Sequence, residues 1–249
     1  MGGPSLEYLR ARAESHFEVV DLWKPRMVEG TEIDPYLAPM IYRGVQEGSE
    51  SVAGFGALAS SGEGRGSVDV TRPTVYWRRA SIEVGGVERT QLAFLWFFPG
   101  ASPGGQEVQG LRMTLDSRGF PAIFELLRDS SRANLFYVTR ALETRVAKER
   151  GEPLAGRTFC VEPALKERPD VLVPRLIGEG PAPMGPFVYH DLEGHDLVSL
   201  HCRCSPSQIK TIRETMEYDL LPLEALPEGV PGFEDPEWPF DCLRLPASF

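Results

Sequence analysis

Several things are scarce in this chain. Among 249 residues there are four cysteines, four histidines, four lysines against 22 arginines, and a single asparagine, Asn134. Four scattered cysteines do not make the disulfide framework of a small secreted protein. The longest unbroken apolar run, Leu92 to Phe98, is far too short to cross a bilayer. No charged-then-apolar leader opens the sequence. The Walker, H-E-x-x-H and C-x-x-C patterns are all missing. Arginine in place of lysine, with almost no asparagine, points to a high-GC bacterial genome. These absences predict a cytoplasmic protein with no membrane partner. A 42% hydrophobic content is enough for a sizeable core without metal or disulfide staples.

Basic charge is short as well. The net charge is −10, and the excess sits late in the chain: nine acidic residues and no basic one lie between Arg213 and Arg244. A nucleic-acid binder needs a basic footprint. Arg72, Arg78, Arg79 and Arg89 are the nearest approach to one, so no nucleic-acid partner is expected. A small-molecule substrate remains the expected partner, and oligomeric state is not legible.

The elements that are present read mainly as hairpins. Thr74–Val84 and Val87–Phe98 flank Gly85-Gly86, a pair suited to a two-residue turn. The second run ends apolar on both faces, as a central strand does. Leu111–Leu115 and Ala122–Leu127 form a second hairpin around Asp116-Ser117-Arg118-Gly119. Asn134–Thr139, Thr158–Glu162, Val171–Ile177 and Phe187–His190 are further strands. Helices are predicted over Ser5–Val20, Arg140–Arg150 and Ser205–Tyr218, the last with Ser205 as N-cap, Pro206 at N1 and Gln208 closing a capping box. The expected fold class is therefore α+β, a mainly antiparallel sheet of hairpins with an N-terminal helix and two short peripheral helices. A single globular domain over residues 1–249 is expected, with a flexible Gly/Ser-rich loop near 48–66. Within that loop Gly54-Phe55-Gly56-Ala57-Leu58-Ala59 fits G-x-G-x-x-A, but no strand precedes it and no helix follows, so a dinucleotide site is rejected.

Potential chemistry concentrates in one stretch. Leu197 to Leu200 is an apolar run that hands directly into His201, Cys202, Arg203 and Cys204, with His190 and His195 just before it. Alternation along a strand puts Val198, Leu200, Cys202 and Cys204 on one face, and Ser199, His201 and Arg203 on the other. Three readings follow. Cys202, Cys204, His190 and His195 could hold zinc, since thiolate and imidazole are its ligands, in a structural site or a metal-dependent enzyme. A single reactive thiol, Cys204, could act instead, activated by the helix N-terminus; a disulfide inside the pair would be strained in an extended strand. The third reading is a non-catalytic interaction module whose cysteines simply pack. Glu125, on an otherwise apolar face between Ile123 and Leu127, is the candidate general acid or base, unless an arginine pairs with it.

Overall fold

The computed structural model describes residues 6–14, 18–27, 33–45, 54–59, 67–100, 105–127, 133–168, 170–191, 195–203, 211–226, 242–247 and 249. In chain order the elements are α1 (Leu6–Ala13), β1 (Val19–Pro25), β2 (Met40–Gly44), β3 (Ala57–Ala59), β4 (Ser67–Asp69), β5 (Thr74–Val84), β6 (Val87–Pro99), β7 (Gln106–Leu115), β8 (Pro121–Leu127), β9 (Asn134–Thr139), α2 (Arg140–Arg150), β10 (Val171–Leu172), β11 (Leu176–Ile177), β12 (Phe187–His190), β13 (Leu197–His201) and β14 (Thr211–Pro222). Twelve strands make one sheet in the order β10-β9-β8-β7-β6-β5-β14-β1-β2-β12-β13, with β11 also on β9; β3 and β4 form a separate ribbon.

This is a mixed sheet, and the expectation of a mainly antiparallel one is corrected. The run β5 to β9 is antiparallel, as its turn residues predict. But β14 lies parallel to both β1 and β5, β12 parallel to β2, and β10 and β11 parallel to β9. A hairpin announces itself through its turn, whereas a parallel pair is joined by a long crossover with no local signal.

The helix expectations also change. Only two α-helices occur among the described residues. The Arg140–Arg150 helix is present, capped by the Thr139 hydroxyl and closed by Gly151 at φ 78°. The N-terminal helix stops at Ala13, because the β-branched pair Val19-Val20 opens β1. Most of the expected Ser205–Tyr218 helix is strand β14, since Thr211 to Tyr218 extend. Ile212 and Met216 are four apart, and four is even, so the spacing suits a strand's period of two as well as a helix. Thr211, Ile212 and Thr215 then tip the balance to strand, being β-branched. The Ser205-Pro206-Gln208 cap lies outside the described residues. Thr158–Glu162 is turn rather than strand, and of the 48–66 loop only 54–59 is described, where β3 forms.

The sheet curls on itself. One core draws Trp96, Phe98, Leu111, Phe124 and Tyr137 from β6 to β9, and Trp23, Ile41, Val188, Leu200 and Tyr218 from the other half. The Tyr137 hydroxyl on β9 reaches the Val198 carbonyl on β13, 3.5 Å away, although nine places separate the strands in the sheet. Leu9 and Ala13 of α1 join this core. Among the described residues no helix is long and apolar enough to cross a membrane.

Candidate functional site

His190 ends β12 with its ring 1% exposed, among Trp96 and Phe98. The Trp96 indole N–H, which can only donate, meets His190 Nε2 at 3.2 Å. The His195 carbonyl, which can only accept, lies 2.8 Å from His190 Nδ1. Both nitrogens are thus engaged and the tautomer is set: the ring is neutral with its proton on Nδ1. Burial pushes its pKa down to about 3. His195 stacks flat on Phe98, with centroids 4.0 Å apart, and its Nδ1 faces the Glu107 carboxylate at 2.8 Å.

Cys202 lies elsewhere. In the β12–β13 hairpin His201 pairs with Phe187 and Leu197 with His190. Cys202 therefore sits about four residues along the ladder from His190, roughly 13 Å at a strand's rise. The structure does not bring these two together. Among the described residues no group of three His, Cys, Asp or Glu side chains could hold a metal ion, and Cys204 lies outside them. Alternation along β13 also fails at one point. The register slips between Tyr189 and His190, so Val198 packs in the outer cluster with Tyr42 and Tyr189, while Leu197 and Leu200 both enter the main core.

β13 ends at His201, so Cys202 is not in an extended strand and the argument that a disulfide there would be strained loses its premise. Cys202 is disulfide-bonded, and Cys160 and Cys242 are buried thiols outside any disulfide. Burial, with Glu143 alongside, pushes the Cys160 thiol up and keeps it protonated. Cys202 and Arg203 line a small cavity of about 30 Å³ with Phe120, Pro121, Glu179 and Met184. Three segments build it. The β7–β8 turn is pinned by the Asp116 carboxylate, which accepts from the N–H groups of Arg118 and Phe120 at 2.9 and 3.0 Å, with Gly119 at φ 81°. Burial works against the Asp116 charge, but these bonds outweigh it and the pKa falls below the usual value. The loop after β11 carries Glu179, whose carboxylate accepts from the Ala141 N–H at the start of α2 (2.7 Å). Its far end is clamped at Gly185, where a Cβ would lie 2.3 Å from the Leu37 carbonyl oxygen. The Arg203 guanidinium donates to the Ala38 carbonyl on the same wall. Burial lowers its pKa from a very high ordinary value, and arginine remains a cation.

Glu125 is 8% exposed on β8 and pairs with Arg112 directly across the ladder. Arg112 Nε and Nη2 both donate to Oε2, at 2.8 and 2.6 Å. Burial pushes this carboxyl up, to about 7, against the pull of Arg112. Its neighbours Phe124 and Leu126 point into the main core, so Glu125 points out of the opposite face. It shares no site with His190 or Cys202.

The cavity was not legible in the sequence. The Asp116–Pro121 turn and the Pro/Gly loop after β11 read only as connections, and nothing local ties either to Cys202. No known family, curated protein or solved structure matches this chain.

Proposed function

We propose that the protein acts through Cys202 as a thiol–disulfide centre. The observation that carries this is one residue's double position: Cys202 is disulfide-bonded and also lines a cavity that holds the cation Arg203. A neighbouring guanidinium favours the thiolate, the form that reacts. In a reducing compartment a disulfide is transient and chemical rather than structural. The reaction is exchange with an external dithiol. One external thiolate bonds to Cys202 Sγ and the partner sulfur leaves as a thiolate. The second external thiolate then attacks its own sulfur in that mixed disulfide. Cys202 is released reduced, and the external pair leaves as a disulfide with two electrons fewer. Pocket size supports a sulfur carried on an extended arm. About 30 Å³ admits a side-chain tip, against roughly 300 Å³ or more in pockets that enclose whole metabolites.

Differential alkylation tests this. Native protein is treated with iodoacetamide before and after dithiothreitol, at graded redox potentials, and Cys202 modification is read by mass spectrometry. Reversible protection, with a midpoint inside the range of catalytic dithiols (about −120 to −270 mV), supports the reading. A midpoint below about −300 mV makes the disulfide structural. Elemental analysis of the reduced protein runs beside it. Stoichiometric zinc, lost in Cys202→Ser, replaces the redox reading with the metal one.

A further inference from the structure

The strand β14 is bordered differently along its two halves. Its first part, Thr211 to Tyr218, pairs with β1, and its last part, Asp219 to Pro222, with β5. The Tyr218 carbonyl accepts from Arg26 N–H on the β1 side, and the Asp219 N–H donates to the Pro73 carbonyl on the β5 side, each at 2.9 Å. Main-chain groups of successive strand residues alternate sides, so those of Thr215 and Glu217 point away from β1. No strand lies there among the described residues. β5 begins only at Thr74, opposite Asp219, and the chain just before it turns away, with the Arg72 carbonyl taken by Ala57 N–H. Thr211 to Thr215 are all exposed, including Ile212 at 45%.

Such an edge invites another strand. Its charge selects which. Arg213 is spent on the buried Asp21, with Nε and Nη2 at 2.9 and 2.5 Å from the carboxylate. Lys24 and Arg26 are spent on Glu217 and Asp219. Glu214 makes no ion pair among the described residues, and no basic residue follows in the sequence until Arg244. A second copy of a chain with net charge −10 meets repulsion at this edge. A basic strand meets attraction.

We infer that the free edge of β14, at Thr211 to Glu217, is a docking site for an extended, lysine- or arginine-bearing polypeptide that adds to the sheet as a strand beside Thr215. Main-chain hydrogen bonds supply the affinity, and Glu214, with the acidic charge around it, selects the cationic side chains.

The probe is a fluorescein-labelled peptide of alternating lysine and valine, titrated by anisotropy at low salt. Saturable binding is expected. Thr215→Pro removes one outward N–H without touching the β1 ladder. It should weaken binding roughly tenfold, the worth of one or two hydrogen bonds. The same peptide N-methylated at alternate residues should lose binding similarly, and this arm decides alone if Thr215→Pro fails to melt cooperatively. No binding of the unmodified peptide overturns the proposal. So does equal binding of the methylated and unmodified peptides, which would mean charge attraction without strand addition. A wild-type dimer by sedimentation that Thr215→Pro dissociates also overturns it, since the occupant is then a second copy.

Discussion

Glu125 and His190 are buried titratable groups whose links to stability have opposite sign, and substituting either one exposes the other. The Glu125 carboxyl rises from an ordinary 4.5 to about 7 in the fold. The folded state therefore holds that proton more tightly. Its contribution is fully present below pH 4.5 and is lost as pH rises through 7. Two and a half pH units correspond to about 3 kcal/mol. His190 falls from an ordinary 6.5 to about 3, so its contribution is present above pH 6.5 and is lost as pH falls toward 3. That amounts to about 5 kcal/mol over the whole range. Between pH 4.5 and 6.5 the folded chain carries the proton on Glu125 and the unfolded chain carries it on histidine. Each state binds one of the two, so this pair adds almost no slope to wild-type stability in that window.

Glu125→Gln removes one arm. Its unfolding free energy should fall, relative to wild type, by about 3 kcal/mol as pH drops from 6.5 to 4.5, at roughly 1.4 kcal/mol per pH unit. Across this window the wild-type carboxyl is neutral, so at Arg112 the substitution exchanges one hydrogen-bond acceptor for another, an offset independent of pH. Urea melts followed by fluorescence of the buried Trp23, Trp77 and Trp96 measure this directly. His190→Gln should show the opposite slope, because only the Glu125 proton then differs between the two states; its amide oxygen can still accept from Trp96. A Glu125→Gln profile parallel to wild type across this window would refute the reasoning, since Glu125 would then titrate alike in both states.

Two further substitutions probe the packing that holds the sheet. Gly110→Ala places a Cβ 2.5 Å from Leu95 Cδ2 and 2.7 Å from the Phe94 carbonyl oxygen, so a loss of about 1–3 kcal/mol is expected in the same urea melts. Arg157→Met removes the cation 3.8 Å from the fully buried Glu162 carboxylate, leaving that charge only its three backbone N–H donors, and frees three carbonyls that Arg157 now satisfies. A loss of about 3–5 kcal/mol should lower the melting temperature, and an unchanged melt would show that the pair adds nothing.

Short-range chemistry settled what the sequence alone could settle. The β5–β6 hairpin follows from two β-rich runs around Gly85 and Gly86, which take φ 58° and 80° in the turn. α2 follows from the Thr139 cap and Gly151, and β9 and β12 end where their apolar runs end. The concentration of cysteine and histidine near Cys202 was equally plain. Tertiary structure decided the rest. Thr211–Tyr218 carries spacing that suits helix or strand; its β-branched residues lean toward strand, and the β1 ladder, laid parallel across a long stretch of sequence, fixes it there. Glu125 looked like a lone carboxylate because its partner Arg112 lies across a hairpin. His190 and Cys202 look adjacent in sequence, yet a hairpin sends them to opposite ends. Cys202 instead meets Phe120 and Glu179, from segments some 80 and 20 residues away that the curled sheet brings together. Periodicity reports a residue's own face, and no local pattern records which distant face closes over it.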